Sequence, residues 1–162
     1  MKNLKAIFLD VDGVLTDGGV WWGPNGEEWK RFSFADIMGV SMARKSGLVV
    51  GLISGEDSAQ VDRFASKMGI TEIAKNCKDK AAALRALAGQ RGVELRDVCF
   101  MGDDVNDLEA MKIAGLAAAP ASALPPVLRM AAFVSTKNGG NGAVRELVDA
   151  ILAAKNSGVS HA

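Results

Sequence analysis

The chain has 162 residues, of which 49% are hydrophobic, and its 19 basic and 19 acidic residues leave a formal net charge of zero. This composition excludes a disordered chain, suffices for one buried core and gives no reason to expect a nucleic-acid partner. Because we find neither a signal peptide nor an apolar stretch long enough to cross a bilayer, we expect a soluble, cytoplasmic protein without a membrane partner.

The first predicted element is a buried strand that ends in two acids. The apolar run Ala6–Leu9 is followed directly by Asp10-Val11-Asp12-Gly13. The carboxyl end of a parallel strand is where open α/β sheets bind ligands. Two carboxylates held close together there repel each other, so a bound cation is the natural compensation.

A β-hairpin is predicted next, over residues 18 to 33. Segments 18–22 and 28–32 flank the turn sequence Gly23-Pro24-Asn25-Gly26. A glycine after asparagine between aromatic runs is typical of a tight hairpin turn. A short hairpin cannot bury three tryptophans by itself, so we expect Trp21, Trp22 and Trp29 to form an interface between subunits.

The remainder of the chain alternates between strands and helices. Strands are predicted at residues 48–53, 98–101, 116–119 and 132–134, and helices at 36–45, 57–68, 79–91, 106–114 and 143–154, with a less certain short helix between the last two strands. This alternation predicts a Rossmann-like, doubly wound α/β fold with a parallel sheet. We expect one domain over residues 1–155 and a flexible tail over 156–162.

Three more polar segments follow predicted strands or open predicted helices. Ser54-Gly55 offers a hydroxyl and a backbone N–H that suit a phosphate oxygen. Lys80 opens a helix at the end where a lysine opposes the helix dipole, which indicates a role beyond helix stability. The segment Gly102–Asp107 adds three carboxylates. A cluster of oxygen ligands favours a hard cation, and Mg²⁺ before transition metals.

Several nucleophiles are excluded by counting. The only histidine is His161, near the C-terminus, which removes Ser-His-Asp, Cys-His and phosphohistidine mechanisms. Cys77 and Cys99 lack metal-ligand spacing, and neither has an arginine six residues later, as a cysteine phosphatase requires. No P-loop sequence occurs. A carboxylate remains, and its attack on phosphorus gives an aspartyl-phosphate.

The segments DVDGVLTDGG, ISG, a lone lysine and GDDVND, in that order, resemble the four signature segments of the haloacid dehalogenase superfamily of phosphatases. The resemblance implies that Asp10 is the nucleophile. It implies that Asp12 protonates the leaving alcohol and then activates water. Ser54 and Lys80 would hold the phosphoryl group.

The same resemblance implies a Mg²⁺ site. The ion would be held by the Asp10 carboxylate, the Asp12 backbone carbonyl and Asp103, with Asp107 steadying it through water. The alternative for Asp107 is a plain acid at a helix N-terminus.

The chain is too short to hold a cap domain between its signature segments, and it resembles the capless branch that acts on octulosonate and nonulosonate phosphates. NGEEWKRF of the hairpin and the glycine-rich Gly139–Gly142, followed by AVRE, match that branch. The resemblance implies a homotetramer in which hairpins build the interface and neighbouring subunits close each other's sites.

Substrate choice within the branch depends on two positions. Octulosonate phosphatases typically carry arginine where this chain has Glu56, and Glu56 with Lys67 resembles the sialic-type enzymes. We therefore expect a nine-carbon sugar acid 9-phosphate first and 3-deoxy-D-manno-octulosonate 8-phosphate as the alternative. Eleven residues of helix span roughly 16 Å, so Lys67 would reach a substrate beside Glu56 only from a neighbouring subunit. Both residues can also be read as ordinary solvated helix residues. The resemblance places four more residues in the substrate-binding set: Gly13, Ser33, Asp36 and Gly55.

Two other classes stay open. The chain can be an inactive tetramerising module of a sialate cytidylyltransferase pathway, or a receiver-like phosphotransferase. The presence of Asp10, Asp12, Lys80 and Asp103 argues against the first, and the general acid Asp12 argues against the second.

Overall fold

The computed structural model describes residues 1–157, which form a parallel sheet with helices on both faces. In sheet order the six strands are β5, β4, β1, β6, β7 and β8. Their bounds are Ala6–Leu9 (β1), Val49–Ile53 (β4), Glu72–Ala74 (β5), Val98–Met101 (β6), Leu116–Ala119 (β7) and Phe133–Val134 (β8). A separate antiparallel hairpin consists of β2 (Trp21–Trp22) and β3 (Glu28–Trp29).

Within residues 1–157, five α-helices lie between strands and a sixth follows β8. They are α1 (Phe34–Lys45), α2 (Ala59–Met68), α3 (Lys80–Gln90), α4 (Leu108–Ile113), α5 (Pro125–Met130) and α6 (Ala143–Asn156). The predicted α/β fold with a parallel sheet is confirmed. Among residues 1–157, none of these helices has the length and apolar character that crossing a membrane requires.

The central strand β1 supplies side chains to two separate cores because successive residues of a strand point to opposite faces. Ile7 and Leu9 pack with α1, α2 and α6 on one face. Ala6 and Phe8 pack with α3, α4 and α5 on the other. All four residues are buried, so β1 is a rigid base for whatever follows its carboxyl end.

Some predicted boundaries are corrected by capping residues. The helix expected from residue 36 begins at Phe34, since Ser33 is its N-cap, and the helix expected from residue 57 begins at Ala59, after the N-cap Ser58. Strand β5 occupies the place between α2 and α3 where the alternation expects a strand, for which the sequence analysis gave no bounds. Helix α6 extends through Asn156, so the expected tail begins later, and its residues 158–162 lie outside the described part of the chain.

The helix expected from residue 106 is divided in two. Residues 105–107 form a 3-10 turn, and α4 starts at Leu108. Asp104 and Asp107 cap each other's backbone N–H groups in a capping box, and this fixes the turn that follows β6.

Candidate active site

The centre of the site is Asp10, directly after β1. Its backbone N–H donates to the Met101 carbonyl oxygen at 3.0 Å, which continues the pairing with β6 beyond the last strand residue. One carboxylate oxygen accepts from the Val11 N–H at 2.7 Å, and the other lies 3.0 Å from the Lys80 ammonium. Burial, and then the charge of Asp107, raise the pKa of Asp10 well above its ordinary value although Lys80 opposes them.

Lys80 joins the two acids on either side of it. Its ammonium is 2.7 Å from an Asp107 oxygen and 3.0 Å from an Asp10 oxygen, and its side chain is 2% exposed. Burial acts to lower the pKa of Lys80, but the charges of Asp10 and Asp107 outweigh it and raise that pKa. The lysine is therefore a fixed cation beside Asp10, although it begins a helix.

Both carboxylate oxygens of Asp107 accept hydrogen bonds. One accepts from Lys80, and the other accepts from the Asp103 N–H at 2.9 Å and the Asp104 N–H at 3.2 Å. It is fully buried. In this structure Asp107 therefore positions Lys80 and the loop after β6, whereas the sequence suggested either a water-mediated metal contact or a simple helix acid.

Asp103 has the features of a cation ligand. Its Oδ1 atom is buried without a hydrogen-bond partner. One oxygen each from Asp10, Asp103 and Asp107 lie within 4.8 Å of one another. Burial, followed by the charges of Asp107 and Asp104, raises the pKa of Asp103 to about 6. An unpartnered carboxylate oxygen facing other carboxylates fits a hard cation such as Mg²⁺.

Gly13 makes room for this ligand. Its φ is +86°, and a Cβ atom there would lie 2.0 Å from an Asp103 oxygen. The sequence assigned Gly13 to substrate binding; the structure gives it a steric role beside the candidate metal ligand, because only glycine combines this backbone conformation with so close an approach.

Ser54 and Gly55 follow β4, the strand beside β1. Ser54 is fully buried, and its hydroxyl oxygen accepts from the Glu56 N–H at 3.1 Å. A Cβ atom on Gly55 would lie 3.8 Å from the Asn106 side-chain nitrogen, which is an ordinary van der Waals contact. The parallel pairing of β4 with β1 brings this segment to the edge of the sheet that holds Asp10.

Lys30 contacts the site and was missed by the sequence analysis. Its ammonium lies 2.8 Å from Asp12 Oδ1 and 3.6 Å from Glu28 Oε1, and the lysine side chain is 2% exposed. Burial acts to lower the pKa of Lys30, but Asp12 and Glu28 outweigh it and raise that pKa. No local pattern gave a signal for this contact, because Lys30 lies just beyond β3, a strand of only two residues.

Ser33 and Asp36 make structural contacts in the single chain, and their assignment to substrate binding stays a prediction. The Ser33 hydroxyl caps α1 and donates to an Asp36 oxygen at 2.8 Å. The buried Asp36 carboxylate accepts from the Gly142 and Arg145 N–H groups at 3.0 and 3.1 Å. Asp36 thus joins α1 to the first turn of α6, where a carboxylate is favoured by the helix dipole.

Glu56 and Lys67 are both exposed in the single chain. The Lys67 ammonium lies 5.8 Å from the centre of the Phe34 ring. A cavity of about 490 Å³ between the hairpin, α1 and α2 is lined by Lys67 together with Lys30, Gln60 and Arg63. Glu56 is not among its lining residues. A meeting of Glu56 and Lys67 across subunits stays a prediction.

Comparison with known proteins gives consistent results. Residues 37–147 match the family model described as haloacid dehalogenase-like hydrolase. The 3-deoxy-D-manno-octulosonate 8-phosphate phosphatase of Escherichia coli K12 is 36% identical over 154 residues, which are 95% of this chain and 82% of that protein.

Solved structures agree closely with the fold. The 3-deoxy-D-manno-octulosonate 8-phosphate phosphatase of Moraxella catarrhalis, in complex with magnesium, phosphate and the sugar acid, is 37% identical with a TM-score of 0.93, covering 96% of this chain and 90% of that one. The cobalt-bound enzyme of Haemophilus influenzae is 35% identical with a TM-score of 0.93, covering 99% of this chain and 95% of that one.

Proposed function

The chain belongs to the haloacid dehalogenase-like hydrolase family, and on that premise we propose that it is a Mg²⁺-dependent phosphatase of a 2-keto-3-deoxy sugar acid phosphate. The observation that carries the proposal is the grouping of Asp10, Lys80 and Asp103 at the carboxyl end of β1. A buried carboxylate, a fixed cation and a partnerless second carboxylate there suit attack on a phosphate dianion.

In the first step, an Asp10 oxygen attacks phosphorus, and the bond from phosphorus to the ester oxygen breaks. The departing oxygen takes a proton from the Asp12 carboxyl, which releases the alcohol and leaves an aspartyl-phosphate. Lys80 faces the developing negative charge, and the Ser54 hydroxyl lies at the neighbouring strand end to bind a phosphoryl oxygen.

In the second step, the Asp12 carboxylate accepts a proton from water as the water oxygen attacks phosphorus. The bond between phosphorus and the Asp10 oxygen breaks, which frees inorganic phosphate and restores both aspartates. The net reaction consumes one water and one phosphate monoester and yields one alcohol and one phosphate.

The residues present fit a magnesium ion. Asp10 and Asp103 would hold it, the backbone carbonyl of Asp12 would complete the protein ligands, and Asp107 would keep Asp103 in place through its backbone. When bound, the ion would neutralise the carboxylates and the incoming phosphate. A magnesium ion in the Moraxella relative supports this identity for the cation.

For the substrate we propose 3-deoxy-D-manno-octulosonate 8-phosphate. Relatives named for this substrate cover nearly the whole chain, and they support the eight-carbon alternative over the nine-carbon substrate that the sequence analysis placed first. One residue favours the nine-carbon acid instead. Octulosonate phosphatases are expected to carry an arginine at the position of Glu56.

We also propose a homotetramer, because the three hairpin tryptophans are exposed in the single chain.

The test is phosphate release by the purified protein with Mg²⁺ from the eight-carbon and nine-carbon sugar acid phosphates, compared by kcat/KM. We expect the eight-carbon substrate to be preferred. A preference for the nine-carbon substrate would overturn only the substrate assignment. Absence of phosphate release from either would overturn the proposed reaction and favour an inactive assembly module.

A further inference from the structure

Lys30 is buried on the inner side of a hairpin that is otherwise exposed. Its side chain is 2% exposed, whereas the neighbouring Trp29 is an exposed residue. Burying an ammonium group without a partner costs free energy, so the Lys30 ammonium must lie beside groups of negative charge. The partners are Asp12 Oδ1 at 2.8 Å and Glu28 Oε1 at 3.6 Å.

The chain on both sides of Lys30 is attached to the body of the protein, by backbone on one side and by a side chain on the other. The Gln60 side-chain amide of α2 donates to the carbonyl oxygen of Glu28. The Arg31 guanidinium donates to the Gly140 carbonyl oxygen at 3.1 Å and to Asn141 Oδ1 at 2.7 Å. The lysine is therefore delivered to Asp12 by an anchored segment rather than by a free loop.

Asp12 depends on this contact. Within residues 1–157, Lys30 is the one side chain that forms an ion pair or hydrogen bond with the Asp12 carboxylate, whereas Asp10 and Asp107 are each held by two or more groups. An acid that transfers a proton must be held within a fraction of an ångström of its productive position.

We propose that Lys30 is a positioning residue that holds the Asp12 side chain for proton transfer to the leaving alcohol. The inference rests on the proposed phosphatase function and extends it by making the hairpin part of the catalytic centre. Lys30 acts through Asp12 and does not itself touch the reacting atoms.

The experiment compares Lys30→Gln with Lys30→Arg, and Lys112→Gln is the matched control because Lys112 forms only an exposed pair with Glu109 on α4. Three substrates are used: 3-deoxy-D-manno-octulosonate 8-phosphate, glycerol phosphate and p-nitrophenyl phosphate. The first two release alkoxides that need a proton, whereas nitrophenolate leaves without one. Thermal unfolding is measured for every variant.

We expect Lys30→Gln to lower kcat/KM by about 10- to 100-fold on both alkyl esters and by less than about 3-fold on p-nitrophenyl phosphate, because kcat/KM reports the steps up to departure of the alcohol. Hydrolysis of the aspartyl-phosphate, in which Asp12 also acts, is common to all three substrates and is not compared. Lys30→Arg keeps the cation and should recover part of kcat/KM on the alkyl esters. Lys112→Gln should match the wild type on all three substrates.

Equal losses of kcat/KM on all three substrates, or none on any, would overturn the inference. So would a rise in KM restricted to the sugar acid with kcat unchanged, since that result would make Lys30 a binding group for the substrate carboxylate. If Lys30→Gln fails to fold, Lys30→Met, which keeps the length of the side chain without its charge, carries the test. An alkyl-to-aryl ratio of kcat/KM in Lys30→Met equal to that of the wild type would overturn the inference. A wild-type protein inactive on all three substrates would instead refute the proposed function.

Discussion

At the scale of single residues, the side chains of the site form a network of ion pairs and hydrogen bonds. Lys80 lies between Asp10 and Asp107, and Asp107 in turn holds the backbone N–H of Asp103. Of these groups, only Asp103 has a buried oxygen left without a partner. Substitutions at different positions of this network should therefore have different effects on chemistry, on metal binding and on stability.

Replacing Asp10, the proposed nucleophile, should separate the effect on chemistry from the effect on folding. Asp10→Asn keeps the size of the side chain and removes an ionisable group. Burial and the charge of Asp107 raise the pKa of Asp10, which means that the charged carboxylate is unfavourable in the folded protein, so the fold should persist without it. The amide cannot attack phosphorus, and we expect phosphate release to fall by more than about 1,000-fold. Steady-state phosphate release and circular dichroism check the two halves of this prediction. Near-normal turnover in a folded Asp10→Asn protein would exclude an aspartyl-phosphate.

Asp103→Asn should affect stability in opposite directions with and without Mg²⁺. Burial, and then the charges of Asp107 and Asp104, raise the pKa of Asp103 from its ordinary value of 3.8 to about 6. A carboxyl whose pKa is higher in the folded state binds protons more tightly there, so the metal-free protein loses stability as the pH rises from 3.8 to about 6. Above that window, the uncharged asparagine should raise the Tm of the metal-free protein.

The measurement is thermal unfolding from pH 4 to pH 8, with Mg²⁺ or with a chelator. Mg²⁺ should raise the Tm of the wild type and have little effect on Asp103→Asn, because the ion loses a ligand. The exposed Asp149, paired with Arg145 on α6, provides a control in Asp149→Asn. An undiminished Mg²⁺ response in Asp103→Asn would exclude this residue as a ligand.

At the scale of elements, three loops at the carboxyl edge of the sheet fit together through glycines. The turn after β1 lies under Asp103 at Gly13 and against the segment before α6 at Gly139. The Gly140 N–H donates to the Val14 carbonyl oxygen at 2.9 Å. Arg31 attaches the hairpin to the same segment, so loops far apart in sequence form one rigid site.

Gly13→Ala tests this packing. Gly26 at the hairpin tip has nearly the same φ, +85° against +86°, but a Cβ atom there meets nothing within 4 Å. Gly26→Ala therefore reports the cost of backbone strain alone, about 1 kcal/mol of unfolding free energy. Gly13→Ala adds the displacement of Asp103 and should also weaken the response of activity to Mg²⁺ by about 10-fold or more. Equal Mg²⁺ dependence in the two variants would contradict the steric role of Gly13.

At the scale of the whole molecule, the hairpin has two faces with different roles. Trp21 and Trp22 are 70% and 78% exposed, whereas Lys30 points into the site. Large exposed aromatic side chains in one place usually mark an interface. A contact on the outer face would hold the hairpin against the body and thereby link assembly to the position of Asp12.

Replacing Trp21 and Trp22 together by serine should disrupt the proposed tetramer and lower activity, because the hairpin would lose its support from the neighbouring subunit. Light scattering after gel filtration gives the mass, and phosphate release at the same protein concentration gives the activity. Val134→Ser removes a 44% exposed apolar side chain from the edge strand β8 and serves as the control. A wild-type protein that is a fully active monomer would refute the link between assembly and activity.

The sequence by itself determined the fold class and the main chemical groups. Buried apolar runs alternating with helical segments specify a parallel sheet, and the groups that follow parallel strands must meet at one edge. Local pattern therefore predicted that Asp10, Ser54 and the acids of Gly102–Asp107 lie at this edge, and the family resemblance singled out Asp103 among those acids as the metal ligand. Lys80 was predictable because a positive charge at a helix N-terminus is unfavourable and must be offset by another interaction. In the structure, the carboxylates of Asp10 and Asp107 provide that interaction.

Only the tertiary structure decided which side chains hold each other. Asp36 resembled a substrate ligand in the sequence, and contacts 106 and 109 residues away also make it a cap for α6. Asp107 was ambiguous until its two oxygens were seen to bind Lys80 and the loop after β6. Lys30 reaches Asp12 through the orientation of a hairpin whose strands are two residues long, too short for a sequence pattern to specify that orientation.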